Sequence, residues 1–152
     1  MKSALRKTEA QTWPEPKRQF AALPFKKNKK GKLQILLITS RETKRWVLPK
    51  GWPMKDLNGG EAAEQEAFEE AGIRGDLTEQ AAGIYHYPKL RVTKEPIPCR
   101  VKVFPLEVTE MLDDWPEKDE RTRKWFSVRD AVHAVDEPEL KALLANWSPE
   151  ED

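Results

Sequence analysis

The chain has 152 residues, of which 38% are hydrophobic and 35% charged, and its 27 Lys and Arg residues almost balance its 26 Asp and Glu residues. This length predicts one domain with its own core, and the balanced charge argues against a nucleic-acid partner. The single Cys99 excludes an internal disulfide framework, and no Cys/His cluster is available for structural zinc. No apolar run approaches the ~20 residues of a membrane span, and the N-terminal segment lacks a signal-peptide pattern. A cytoplasmic protein without a membrane partner is therefore expected.

The two ends of the chain differ in composition from its middle. Residues 1–16 are polar and interrupted by proline, without helical or strand periodicity, which predicts a flexible N-terminal arm. Residues 148–152 are typical of a solvated acidic tail. The domain itself is therefore predicted to extend over residues 17–147.

Short apolar runs predict strands at the start of this domain. Residues 18–25 and 33–39 flank the lysine-rich, glycine-containing segment 26–32, which is typical of a β-hairpin with an exposed connection. Residues 45–48 are a further short strand candidate. The Pro, Asn and Gly residues of segment 49–60 then predict a loop.

A helix is predicted over residues 61–71, which consist only of Ala, Glu, Gln and Phe, and Gly72 is well placed to end it. One stripe of this helix carries small residues that suit close packing on a sheet, namely Ala63, Ala67 and Ala71.

The second half of the domain continues with strands and ends with two helices. Ser127 is predicted to cap a helix that continues through Val135. The other predicted segments are strands over residues 82–87, 100–108 and 124–126, a polar stretch over 110–121 and an amphipathic helix over 137–147. Because strands and helices do not alternate regularly, we expect an α+β fold with a mixed sheet and helices packed on it.

Three glutamates lie near one face of the helix predicted over residues 61–71. Glu66 and Glu70 are four residues apart, and Glu69 is three residues from Glu66. Like charges at this spacing destabilise a helix by roughly 0.2–0.5 kcal/mol, so the cluster requires a compensating cation. The sequence has no Lys or Arg between Lys55 and Arg74, and convergent carboxylate oxygens suit Mg²⁺ or Mn²⁺. The alternative is a solvated acidic face, because exposed Glu favours helices.

Segment 51–73 resembles the Nudix box, G-x5-E-x7-R-E-U-x-E-E-x-G-U, in which U is aliphatic. The matching positions are Gly51, Glu66, Ala67, Glu69, Glu70, Gly72 and Ile73. Two positions depart from the box, since Leu57 stands in place of its first Glu and Gln65 in place of its Arg.

The resemblance implies that Glu66, Glu69 and Glu70 are the catalytic residues. Glu66 and Glu70 would bind the metal, helped by the carbonyl of Lys50, and Glu69 would be a further ligand or orient the water. The Arg of the box normally anchors these carboxylates by charge-assisted bonds, whereas Gln65 offers only a neutral one. Two downstream glutamates are further candidates for a ligand or general base, Glu117 and Glu120.

The resemblance extends over roughly residues 17–145. The runs SRETKRWVLPKGW and LDDWPEKDERTRKWFSVRDAV are similar to those of diphosphoinositol polyphosphate phosphohydrolases. This similarity implies the Nudix α/β/α sandwich, with a mixed sheet packed between helices. It also implies the residues that contact phosphate or neighbour such contacts, which are Lys17, Arg18, Thr39, Arg41, Lys50, Gly51, Trp52, Lys89, Arg91, Arg121 and Arg123.

The function implied is hydrolysis of a phosphoanhydride bond with Mg²⁺ or Mn²⁺ in a highly phosphorylated small molecule. Diphosphoinositol polyphosphates and dinucleoside polyphosphates are the two substrate classes that the resemblance offers. The departures at Leu57 and Gln65 favour the alternative of a catalytically silent Nudix-like binding module. Either function is compatible with a monomer or a homodimer.

Overall fold

The computed structural model describes residues 15–149. The predicted arm over residues 1–16 and the predicted tail over 148–152 therefore lie largely outside the described residues. None of the helices in the described range is both long and apolar enough to cross a membrane.

Eight strands and three helices make up the described part of the chain. The strands are β1 (Lys17–Lys27), β2 (Leu33–Thr39), β3 (Trp46–Val47), β4 (Lys50–Gly51), β5 (Ile73–Leu77), β6 (Gly83–Lys89), β7 (Ile97–Met111) and β8 (Arg123–Ser127). The helices are α1 (Gly59–Glu66), which continues directly into a π-helical turn (Ala67–Ala71), α2 (Val128–Ala134) and α3 (Pro138–Asn146), with a short 3₁₀ turn at Lys118–Glu120.

The strands form one mixed sheet, which confirms the predicted sheet type. β1 runs parallel to β7, from the pair Lys17 and Cys99 to the pair Phe25 and Glu107, and antiparallel to β2 and β4. β7 also pairs antiparallel with β5 and β6, while β2 pairs with β3 and β8. The two longest strands therefore form the middle of the sheet and position everything attached to it.

Helices cover both faces of this sheet, so the α/β/α sandwich is confirmed. The predicted stripe of alanines packs α1 and its π turn onto one face, and all three side chains are fully buried, Ala63, Ala67 and Ala71. On the other face, α2 and α3 bury Ala131, Leu140 and Leu144 against alternate residues of β1 and β7. The alternation of side chains along each strand divides the core into these two layers.

Two short strands were missed by the sequence prediction. β4 lies inside the segment predicted as a loop, because Lys50 and Gly51 pair with β1 through their backbone alone. β5 has the half-polar sequence IRGDL, which lacks a strand pattern, and it is held by its pairing with β7. In both cases long-range pairing overrides local propensity.

The helix of the Nudix-like segment differs from its prediction in its first residue and in the hydrogen bonding of its last turn. It begins at Gly59, since Asn58 and Glu61 form a reciprocal capping box. Its last turn is π-helical from Ala67 to Ala71, a change of hydrogen bonding that propensity does not indicate. Gly72 ends it in the left-handed conformation with a φ of 65°, as predicted.

The buried alanine stripe gives a test of this packing. Ala67→Leu should lower the free energy of unfolding by about 1–3 kcal/mol, because the extra methylenes have no room between the helix and the sheet. Glu64→Leu at an exposed position of the same helix is the matched control and should change it by less than about 0.5 kcal/mol. Urea denaturation measures both, and equal stability of the two variants would contradict the close packing.

Candidate functional site

A cleft of about 690 Å³ opens where the loop after β2, strand β4, helix α1 and the end of β6 meet. It brings together nine of the residues predicted from the sequence, which are Arg41, Lys50, Gly51, Trp52, Glu66, Glu70, Lys89, Arg91 and Arg121. Residues that are far apart in the chain thus line one cavity of mixed charge.

Glu70 is the best-anchored carboxylate of the cleft and is buried. Its Oε1 accepts a hydrogen bond from the backbone N–H of Lys50 at 3.2 Å, and its Oε2 lies 3.4 Å from an Nη atom of Arg121. Burial raises the pKa of Glu70, while the charges of Arg121 and Lys50 act in the opposite direction. The cation that the local sequence lacks therefore comes from distant parts of the chain.

Glu66 lies beside Glu70 without such an anchor. Its carboxylate occupies the space that a side chain at Gly51 would need, so only glycine at position 51 permits this approach. Burial, the nearby Glu70 and then Glu69 raise the pKa of Glu66 to about 8. The protein's own cations therefore compensate the charge of Glu70 better than that of Glu66.

Arg121 is the central cation of this arrangement. Its guanidinium is almost fully buried. Besides Glu70, its Nε contacts a carboxylate oxygen of Glu117 at 2.8 Å, and an Nη atom donates to the carbonyl of Thr39 at 3.2 Å. All three guanidinium nitrogens are thereby engaged within the protein. The predicted contact of Arg121 with phosphate remains a prediction, and the observed contacts are with carboxylates and a carbonyl.

Glu69 is bonded to Gln65 and is not among the residues that line the cleft. Its Oε2 accepts a hydrogen bond from the side-chain amide of Gln65 at 2.7 Å, and its carbonyl accepts from the N–H of Glu117 at 3.0 Å. Within residues 15–149, no group of three acidic, histidine or cysteine side chains is already arranged to hold a metal ion. Glu66 and Glu70 both line the cleft, whereas one carboxylate oxygen of Glu69 is bonded to Gln65.

Four other predicted contacts lie outside the lining of the cleft. Thr39 links β2 to the segment before β8, since its hydroxyl accepts from the N–H of Thr122 at 2.9 Å. Arg123 donates to the carbonyls of Ala71 and Gly72 at 2.9 and 3.0 Å, which satisfies the end of the helix. The remaining two, which lie at the start of β1, are Lys17 and Arg18.

Several residues of the cleft were not identified from the sequence. They include Gln19, Arg45, Tyr87 and Glu137. The Tyr87 hydroxyl donates to the Gln19 carbonyl oxygen at 2.7 Å, and the Lys50 ammonium lies 5.1 Å from the centre of the Tyr87 ring. No sequence motif links these residues, because they lie in four separate parts of the chain that only the fold brings together.

The donor set of the cleft fits a hard divalent cation. Glu66 and Glu70 supply carboxylate oxygens, and the absence of a side chain at Gly51 leaves the space in which Glu66 approaches the backbone. Oxygen donors of this type are those that Mg²⁺ and Mn²⁺ prefer. A cation would also neutralise the excess negative charge that Arg121 and Lys50 leave uncompensated at Glu66.

Comparison with known proteins agrees with this architecture. The chain is 38% identical over 104 residues to "Nudix hydrolase 12, mitochondrial" of Arabidopsis thaliana, covering 66% of this chain and 51% of the relative. It thus spans about half the length of that relative. It is 33% identical over 121 residues to human diphosphoinositol polyphosphate phosphohydrolase 3-beta, covering 78% of this chain and 69% of that protein.

The fold is shared with solved structures. One is the crystal structure of a binary complex of an Ap4A hydrolase from C. elegans, with a TM-score of 0.65, 23% identity and coverage of 84% of this chain and 92% of that one. The family model described as the NUDIX domain matches residues 16–147. With nearly all of the described chain matched, this protein belongs to the Nudix family.

Proposed function

We propose that the protein is a metal-dependent hydrolase that cleaves a phosphoanhydride bond in a highly phosphorylated small molecule. The observation that carries this proposal is the joint presence of Glu66 and Glu70 with six basic side chains in one cleft. The basic residues are Arg41, Arg45, Lys50, Lys89, Arg91 and Arg121. The similarity to proteins named Nudix hydrolase and diphosphoinositol polyphosphate phosphohydrolase supports it.

Enzymes of the Nudix family generally use divalent metals, and Mg²⁺ or Mn²⁺ is proposed here. Glu66 and Glu70 would hold the ion together with the carbonyl oxygen of Lys50, and Glu69 is proposed as a third ligand or as the group that orients water. A bound divalent cation supplies Lewis-acid polarisation of phosphoryl oxygens and lowers the pKa of water.

The protein's own residues bind the substrate and move the proton. Exposed arginines such as Arg41 and Arg91 bind phosphoryl oxygens, a role for which the planar guanidinium is suited. Water attacks phosphorus, the bond from phosphorus to the bridging oxygen breaks, and the proton of the water passes to a carboxylate. The candidates for this base are Glu69, Glu117 and Glu120, of which the last two are paired with arginines in the structure.

The proposed substrates are diphosphoinositol polyphosphates and dinucleoside polyphosphates. Both carry more phosphate than a nucleoside diphosphate derivative, and the cleft offers more cations than such a small ligand would occupy. Trp52 is 41% exposed at the cleft and offers a flat apolar face beside these cations. A cytoplasmic location, the lack of a nucleic-acid partner and a monomeric or homodimeric state remain predictions from the sequence.

Hydrolysis and metal binding are tested together with Glu70→Gln. The wild-type protein should release phosphate or nucleotide from a panel of phosphoanhydrides only with Mg²⁺ or Mn²⁺, and the ion should raise its Tm. Glu70→Gln should lose both the Tm shift and nearly all turnover, because one anionic ligand is gone. Glu64→Gln, at an exposed position of the same helix, is the control. Full turnover by Glu70→Gln, or no hydrolysis by the wild type, would contradict the proposal.

The glycine that admits Glu66 gives a test that separates function from stability. Gly51→Ala should change the Tm by only a few degrees, because the obstructing atoms belong to the end of a flexible side chain. The methyl group should displace the carboxylate of Glu66 and weaken Mg²⁺ binding and kcat by about tenfold or more, measured by titration calorimetry and steady-state kinetics. Unchanged metal affinity in a folded Gly51→Ala protein would show that Glu66 is not a ligand.

The buried guanidinium of Arg121 should contribute most to the free energy of unfolding when no metal is bound. Arg121→Met leaves Glu70 and Glu117 without their cation, so it should lower the free energy of unfolding in EDTA by about 3–5 kcal/mol. Excess Mg²⁺ should reduce this loss, since it supplies the missing positive charge.

The matched control is Arg41→Met, which removes an exposed ion pair with Glu120 and should lower the free energy of unfolding by less than about 1 kcal/mol. Equal losses of stability in Arg121→Met and Arg41→Met would show that Arg121 does not anchor the carboxylates.

Gln65→Arg should keep or raise kcat, because a charged donor would then hold Glu69.

A further inference from the structure

Glu137 is a nearly buried carboxylate beside the cleft, and one of its oxygens has no partner. The residue is only 8% exposed, and its Oε1 is buried without a hydrogen-bond partner among the described residues. Glu137 also lies among the residues that line the cleft. An isolated buried acceptor of this kind costs about 1–3 kcal/mol, so it is normally paired with a donor.

The surrounding elements do not supply that donor. Glu137 precedes α3 at the capping position, yet its side chain makes no hydrogen bond to the helix, whose first residue is Pro138 and has no N–H. It forms no ion pair with any described residue. Lys50 is close enough for their charges to interact, but its ammonium lies over the ring of Tyr87.

The cleft therefore has two chemically different linings. One consists of exposed cations of the loops, which include Arg41 and Arg91. The other combines the Glu137 carboxylate with the aromatic ring of Tyr87 and the amide of Gln19, whose carbonyl oxygen is already occupied by the Tyr87 hydroxyl. The first lining attracts phosphate, whereas the second, in which the Lys50 ammonium lies over the ring of Tyr87, also carries a carboxylate that attracts hydrogen-bond donors.

We infer that Glu137 accepts a hydrogen bond from a neutral hydroxyl or amino group of the substrate and thereby selects a nucleoside polyphosphate. The ribose hydroxyls and the base amino group of such a ligand are donors of this kind. A diphosphoinositol pentakisphosphate has every ring oxygen esterified and no donor to offer. The inference rests on the proposed hydrolase function and specifies the substrate class within it.

The test compares two substrates in the full-length protein with Mg²⁺. Diadenosine tetraphosphate supplies donors, and 5-diphosphoinositol pentakisphosphate does not. Glu137→Met removes the acceptor and should lower kcat/KM for diadenosine tetraphosphate about tenfold or more, mainly through KM. For the diphosphoinositol substrate, kcat/KM should stay constant or rise, because a negative charge has been removed.

Two further variants separate the acceptor from its charge and from folding. Glu137→Gln keeps a carbonyl acceptor and should retain more of the activity toward diadenosine tetraphosphate than Glu137→Met. Glu42→Gln removes one negative charge from the same cleft without touching the unpartnered oxygen, and it should change kcat/KM for both substrates in the same direction. Thermal unfolding verifies that every variant is folded.

The outcomes distinguish this inference from the proposed function. If the wild type hydrolyses neither substrate, the hydrolase proposal and the selection by Glu137 both fail. If it hydrolyses them but prefers the diphosphoinositol compound, or if Glu137→Met lowers both values of kcat/KM equally, the hydrolase stands and the role of Glu137 is wrong. Equal losses would instead indicate that Glu137 acts as a counter-ion for Lys50.

Discussion

The site depends on one buried cation held among three separate parts of the chain. Arg121 contacts Glu70 of the π-helical turn, Glu117 of the following segment and the carbonyl of Thr39 at the end of β2. These contacts hold the helix that carries the carboxylates to the edge of the sheet. Because these groups are buried, removing the guanidinium would leave Glu70 and Glu117 without the cation they share.

Local patterns were sufficient for much of the fold. The spacing of Ala63, Ala67 and Ala71 indicated the buried side of the helix, and Gly72 and Ser127 marked a helix end and a helix start where the structure has them. The spacing of Glu66 and Glu70 likewise indicated that these carboxylates are neighbours. Each of these features depends on contacts within one turn, which a sequence period records directly.

Features that depend on distant partners could not be predicted in this way. The sequence showed that the glutamates lacked a nearby cation but not that Arg121 would supply it. It also did not show that Arg123 donates to the carbonyls at the end of a helix. The unpartnered oxygen of Glu137 has no sequence signal at all, because burial is decided by the packing of α3. Helix propensity depends on local structure, whereas these contacts and this burial arise from tertiary packing.

The parallel pairing of β1 with β7 has a consequence for folding. Their paired residues are about 80 positions apart, and β1 is also paired with β2 and β4. During synthesis the β1–β2 hairpin can form early, but the middle of the sheet must wait until β7 has left the ribosome. Closing so long a loop is slow, so the apolar side chains of β1 stay exposed meanwhile and are the segment on which a chaperone would act.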